Sequence, residues 1–526
     1  MTATEAPPVI DPVMYGIDPK IYARRWTILG VLCLSLVLIV AAVSAVNVAI
    51  PAISRELEPS SSQLLWIVDA YAVVFAGLLL PFGALGDRLG RKGALQLGLA
   101  LFAGSSTAAA FSSGPAPLIA LRCLMGAGAA LVMPSTLSLL ANVFPPTERA
   151  KAIAIWTGFA GAGGALGPVL GGLVLAHFWW GSVFFVSVPI ALIALGGVTL
   201  LAPKSKESVA VPLDPIGAAL SIVGFGSLLY GIIEGPDKGW TSTTAVGAFV
   251  VAICGLVGFV LWERRSPHPM LDMKFFRIPR FAAGAFAVTF TFMASFAMFF
   301  LNTQYLQYIK GYSALGAAVR SLPFALTMLM ISPRAVELSR RFGTKRLVVT
   351  GMTLVPTGLI LLSLMGRTTP YLLMIPVLVI VAAGMALAIP SLSSGIVMSL
   401  PLDKAGVGSA VNDTTREVGG AVGIALVGTL VNSQFRHGLR TVLTGLPRNV
   451  ADIAKQGLGQ TFAILRGGGV PGPLRAQLAS TAQASFLNGM HLGLRVVAAI
   501  GVVATVFVSR KFPSTNATVP DGRQGH

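Results

Sequence analysis

Charge is what this 526-residue chain has least of. Only 11% of its residues are Asp, Glu, Lys or Arg, against 54% hydrophobic. A soluble globular chain carries nearer a quarter charged residues, so a water-facing multidomain protein is excluded. Cysteine is almost missing: Cys33, Cys123 and Cys254 all lie inside apolar stretches, which argues against a disulfide framework or a thiolate metal site. The five histidines are scattered without ligand spacing. No HExxH, GxSxG or phosphate loop occurs, so the chain offers no set of residues for metal, nucleophile or nucleotide chemistry. No metal, no cofactor and no enzymatic activity are expected. Acidic residues are also scarce, 20 against 38 basic ones. The basic residues fall in short clusters between apolar runs, which is how topology is written in a membrane chain. A nucleic-acid partner is not expected.

What is abundant is long apolar sequence. A helix crosses the bilayer core with about 20 apolar residues. Fourteen such runs lie near 26–49, 64–84, 94–112, 116–141, 151–175, 180–202, 213–233, 243–263, 281–303, 313–334, 346–366, 371–398, 404–431 and 486–509. They are long and do not alternate, so they predict helices rather than a barrel. With the amino terminus placed inside, the cytoplasmic tails and loops hold 23 Lys and Arg and the short outer loops four. Both termini are then cytoplasmic. The stretch 432–485 adds six more basic residues and is read as a long outer loop, in which VADIAKQGLGQTFAIL suits a short amphipathic helix. Residues 1–25 read as a polar tail rather than a cleavable signal.

The runs repeat. The second ends in GALGDRLGRK (83–92) and the tenth in VELSRRFGTKR (336–346). Both put a basic, Gly-containing turn after the second helix of a six-helix set, as two parallel six-helix halves require. The expected division is a tail 1–25, a first half 26–202, a segment 203–262 with two extra helices, a basic cytoplasmic linker 263–280, a second half 281–509 and a tail 510–526.

The string GALGDRLGRKGAL is similar to the signature loop of the major facilitator superfamily, through Gly83, Asp87, Arg88, Gly90, Arg91 and Lys92. The residues themselves suit close helix approach at Gly83, a tight turn at Gly90 and a carboxylate, Asp87, able to meet a base or a helix amino terminus. They also suit simple topology charges. The resemblance implies a gating latch. In the fifth run Gly158, Gly161, Gly163, Gly164, Gly167, Pro168, Gly171 and Gly172 form a dense small-residue face, suited to backbone-to-backbone packing with a bend at Pro168. Its GGALGPVLGG string resembles the antiporter motif of the same superfamily.

Two charges lie inside the membrane portion. Arg122 in LRCLMGAGAA sits about 9 Å in from its run's start at 1.5 Å per residue. It either snorkels or serves function, the default for so costly a charge. Asp69 in LLWIVDAYAVVFAG lies at a matching depth, so the two can pair. Asp69 is the first candidate to bind and release a proton, with a static structural pair as the alternative. The Arg122, Gly126 and Gly128 spacing resembles the superfamily's proton-transfer motif. The Trp-Ile-Val-Asp-x-Tyr string resembles the fourteen-helix drug:proton antiporters, pumps of quaternary ammonium compounds and dyes. GIIEGPDKGW (231–240), GVGSAVNDTTREVGGAVG (406–423) and SFLNGMHLG (485–493) extend that likeness over nearly the whole chain. In the thirteenth run, Asp413 and Arg416 are three apart and can pair along the helix. They form either a self-neutralised interface or, with Glu417, a second protonation site.

The chain departs from that family in its first run. VSAVNVAIP keeps Asn47, Val48, Ala49 and Pro51, but Ala42 stands where the family usually has an aspartate. The remaining carboxylates must then carry coupling. A drug pocket of this kind should be wide, apolar and aromatic with one or two acids. Asp69, Asn47 and one face of the ninth run, Phe292, Phe296 and Phe299, are its candidate lining; the phenylalanines fit plain packing as well. The expected whole is an all-α membrane protein of major facilitator fold, acting as a monomer in a bacterial cytoplasmic membrane. Its expected partners are the bilayer, protons and a lipophilic small molecule exported by exchange. A dedicated exporter of one metabolite, lipid or antibiotic is the alternative.

Overall fold

The computed structural model describes residues 17–513 except 60, 204–213, 402–403, 456, 467–469 and 471. The outer parts of both expected tails, and most of the connection before the extra helices, lie outside these residues.

Nineteen α-helices make up the described fold. The first seven are α1 (Pro19–Glu56), α2 (Ser61–Leu89), α3 (Arg91–Ala110), α4 (Pro115–Val143), α5 (Pro146–Leu175), α6 (Ser182–Phe185) and α7 (Ser187–Leu201). A helical pair follows, α8 (Pro215–Lys238) and α9 (Thr243–Glu263). Next come α10 (Pro279–Gln304), α11 (Ala314–Arg320), α12 (Leu322–Ile331), α13 (Ala335–Phe342), α14 (Thr344–Leu362) and α15 (Tyr371–Val397). The last are α16 (Ala405–Leu443), α17 (Arg448–Ala454), α18 (Leu458–Arg466) and α19 (Gly472–Lys511). Among them are 14 candidate membrane spans, one for each apolar run. The sixth is divided into α6 and α7, and the tenth into α11, α12 and α13.

Local chemistry sets many helix starts. Proline opens α1, α4, α5, α8 and α10, where its missing N–H costs nothing and its fixed φ suits the first turn. The side chains of Asp18, Asp214 and Ser242 cap α1, α8 and α9, each accepting from an otherwise orphaned backbone N–H. The repeat seen in the sequence returns as geometry. Gly90 joins α2 to α3 at φ 113°, and Gly343 joins α13 to α14 at φ 88°. Both lie in a region that side chains other than glycine's seldom enter.

One apolar cluster unites α1–α7, with α5 packed on α1 and α4 on both α2 and α3. A second set of contacts unites α10, α14, α15, α16 and α19. The α8–α9 hairpin packs on itself and lays α8 against α2 and α16, one helix from each half. We call the end where α1 begins the near end, and the opposite one the far end.

One expectation needs correcting. The segment 432–485 is not an extended loop. Helix α16 runs on to Leu443, α19 begins at Gly472, and α17 and α18 lie between them. The expected single amphipathic helix is two, parted at Gly457 with φ 151°. Polar residues end the apolar run at 431 but do not end the helix, because packing continues beyond it. Gly489 lies against Val431, and Gly438 against Ser485.

Candidate functional site

At the near end, Asp87 is 2% exposed yet fully engaged. Its carboxylate accepts from the backbone N–H groups of Gly406 at 3.0 Å and Val407 at 3.1 Å. Those are orphan donors in the first turn of α16, and the positive end of a helix favours a carboxylate there. Arg91 Nε donates to Asp87 at 2.8 Å and Ser138 Oγ at 3.3 Å. A side chain of the first half thus caps a helix of the second. Glycines make the approach possible. A Cβ on Gly83 would stand 2.6 Å from that of Ala410, and one on Gly406 would stand 2.6 Å from the Asp87 carboxylate. Arg88 is half-buried and makes no bridge to α16 among the described contacts. A second bridge escaped the sequence reading: Arg340 Nη2 of α13 donates to the carbonyl of Thr147 in α5 at 3.2 Å. Its signal was the second basic turn, VELSRRFGTKR. Nearby, Arg25 grips Glu148 with Nε at 2.6 Å and Nη2 at 3.1 Å, fixing the start of α1 to that of α5.

The glycines of α5 divide into two faces. Gly163, Gly167 and Gly171 lie on α1, against Val40, Ala41 with Ser44, and Ala45. Gly158, Gly161 and Gly172 lie on the other half, against Met328 with Ser332, Met328 alone, and Leu315. The antiporter-like string therefore serves mostly contacts inside the first half, with Gly172 facing across. Helix α5 continues through Pro168.

Arg122 does not snorkel. It is 0% exposed, and it donates from Nε to the carbonyl of Ile67 at 2.8 Å and from Nη2 to that of Val68 at 3.2 Å. Its guanidinium stands 4.7 Å from the Tyr71 ring centre, within cation–π range. Asp69 is half-buried between these partners in sequence and acts electrostatically on Arg122. The expected juxtaposition is present; its described hydrogen bonds run from Arg122 to the backbone flanking Asp69.

The α16 group differs from expectation. Arg416 Nη2 lies 3.6 Å from Glu417 Oε1, not against Asp413. The reason is the neighbouring helix: Arg416 leans over the Phe292 ring of α10, 5.2 Å from its centre, and so turns from Asp413. Asp413 is fully buried, takes Asn412 Nδ2 at 3.3 Å on one oxygen, and leaves the other without a partner. Tyr71 lies between the two groups, 1% exposed, with Arg122, Glu417 and Arg416 all acting on it electrostatically.

The phenylalanine face of α10 is half-buried. Phe292 and Phe296 are 6.3 Å apart, Phe299 meets Phe324 of α12 edge-on at 4.7 Å, and Phe296 lies against Gly420 of α16. These rings pack helix to helix. Asn47 is exposed on α1, and Ala42 is buried in the first-half core. Trp66, one turn from Asp69, stacks on Tyr230 of α8 at 5.5 Å, an aromatic contact the motif search missed because its partner belongs to the extra hairpin.

Comparison with known proteins agrees with this architecture. Residues 32–424 match the family model of the Major Facilitator Superfamily. The multidrug efflux pump LfrA of Mycolicibacterium smegmatis is 34% identical over 490 residues, covering 92% of this chain and 96% of that protein. The tetracenomycin C resistance and export protein of Streptomyces glaucescens is 30% identical over 491 residues, covering 91% and 90%. The methyl viologen resistance protein SmvA of Salmonella typhimurium is 31% identical over 424 residues, covering 79% and 84%. Among solved structures, the human organic anion transporter MFSD10 superposes with a TM-score of 0.59 at 15% identity, covering 93% of this chain and all of that one. With fourteen apolar helices, a doubled basic turn and a carboxylate of one half capping a helix of the other, the chain belongs to the major facilitator superfamily of multi-pass membrane transporters.

Proposed function

We propose that this protein exports lipophilic, cationic small molecules across a bacterial cytoplasmic membrane in exchange for protons, with both termini and the near end cytoplasmic. The observation that carries the reading is the buried Arg122 beside Asp69 in a chain related to efflux and resistance proteins. A buried charge in the membrane is costly and marks an ion pathway by default. Arg122 holds the carbonyls on either side of its helix contact and so sets the orientation of Asp69. Asp69 gains or loses a proton without a compensating salt-bridge rearrangement. Tyr71 lies between this pair and Glu417, which gives protonation in the first half an electrostatic route to the second. Asp87, on this reading, is the cytoplasmic latch, and rocking of the halves about the α5 contacts alternates access. The narrower reading, a dedicated exporter of one compound, is favoured by Ala42, since that position supplies no acid to attract diverse cations.

The test uses inside-out vesicles with an acidic interior. Adding ethidium, a quaternary ammonium compound or a neutral lipophilic drug should release protons through the parent protein. Asp69→Asn should bring that release to background, a loss of tenfold or more for removal of an essential acid. Silence toward all three compounds in the parent supports the narrower reading. Release that survives in Asp69→Asn would move the proton site to Asp413.

A further inference from the structure

Two carboxylates meet outside the transport site, where the extra hairpin opens and closes. Asp214 caps α8: its Oδ1 accepts from the Gly217 N–H at 2.8 Å. The indole Nε1 of Trp262, on α9, donates to both Asp214 oxygens, at 2.8 and 2.9 Å. The next residue, Glu263, is 3% exposed. Its Oε2 accepts from the Leu271 N–H at 3.0 Å, in the segment that leads to α10. Its Oε1 is buried with no hydrogen-bond partner. Gly217 shows where that oxygen points. A Cβ there would stand 2.6 Å from Glu263 Oε1 and 2.7 Å from Asp214 Oδ2, so both oxygens flank one small gap.

Like charges facing each other in a buried gap do not both persist without a cation or proton between them. The described donors around the pair are N–H groups, the wrong chemistry for an oxygen-ligated metal ion. Among the described residues no ion pair involves either acid. The other charge acting on Glu263 is Asp272 of the linker, also negative. The flanking packing, from Leu80, Phe259, Met270 and Leu271, is apolar.

We propose that Asp214 and Glu263 hold one proton between them, and that this proton fastens the hairpin to the linker entering the second half. Asp214, with three N–H contacts to its oxygens, is the anion. Glu263 carries the proton on Oε1 and donates it to Asp214 Oδ2 across the Gly217 gap. In alkaline solution the proton leaves to water, two negative charges face each other, and the fastening at Leu271 loosens. The linker joining the halves is thereby sensitive to the pH of its own side of the membrane. This does not depend on which acid carries the transported proton.

The test is amide hydrogen exchange at Leu271 in the purified full chain, corrected for the intrinsic pH dependence of exchange. In the parent, protection should fall as the pH is raised from mildly acid to mildly alkaline. Glu263→Gln keeps an N–H donor toward Asp214 and should lose that dependence while staying protected. Asp214→Asn should flatten it too, whereas Asp272→Asn should leave it in place. A parent whose protection does not change with pH would overturn the proposal, as would a dependence that persists in both Glu263→Gln and Asp214→Asn.

Discussion

Replacing Asp87 with alanine is expected to open the near end. The substitution removes the acceptor for two first-turn N–H groups of α16 and leaves Arg91, itself 3% exposed, without its carboxylate. Removing one partner of a buried, hydrogen-bonded ion pair costs about 3–5 kcal/mol. These contacts to α16 exist only while the halves meet at this end, so their loss falls on the closed state. The closed-to-open ratio should drop by roughly a hundredfold to a thousandfold at 1.4 kcal/mol per factor of ten. Single cysteines placed in the α2–α3 and α13–α14 turns and labelled with an impermeant maleimide would read the change, and export should fall with it. Asp87→Asn keeps one acceptor oxygen and should lose less. Unchanged labelling in Asp87→Ala would mean that the Arg340–Thr147 contact closes this end by itself.

The second large effect should separate the two faces of α5. Gly167→Ala drives a methyl group into the Ala41 carbonyl and Ser44 Oγ of α1. Backbone cannot step aside as a side chain does, so the cost should reach or exceed the upper end of about 1–3 kcal/mol for overpacking. The yield of folded protein and its melting temperature should both drop. Gly161→Ala meets instead the side chain of Met328, with its Cε 2.9 Å away. Methionine is unbranched and adapts. This variant should fold, melt within a few degrees of the parent, and export more slowly, because Met328 belongs to the other half. Thermal denaturation in detergent, run beside the vesicle assay, checks both. Equal destabilisation by the two changes would refute the division of α5 into an inner face and a crossing face.

These residues also show what a single sequence holds. The number of spans, the internal repeat and the depth of Arg122 were legible because length, apolarity and spacing are properties of one strand of chain. The likeness of GALGDRLGRK to a known loop pointed to Asp87. It did not identify the donors, since Gly406 and Val407 lie more than three hundred residues away and contribute only backbone. The pairing of Asp413 with Arg416 was argued from helical spacing alone. It gave way to Glu417 because Phe292, on another helix, drew the guanidinium aside. The segment 432–485 read as loop because hydropathy reports contact with lipid, whereas α16 and α19 hold each other up beyond it. Asp214 and Glu263 carry no motif on either flank. Only the closing of the hairpin brings them together.

The hairpin has a further consequence for the shape of the pathway. It leans on α2 through Gly77 and Ile222, and reaches α16 through Trp240, whose indole donates to Thr429 at 3.1 Å. One seam between the halves is therefore roofed by an extra layer of helix, while the seam at α5 is helix directly on helix. A compound dissolved in the surrounding lipid meets a molecule with a back and a front. Toward the back it finds a wall two helices deep; toward the front, the glycine-lined joint where α5 meets α12.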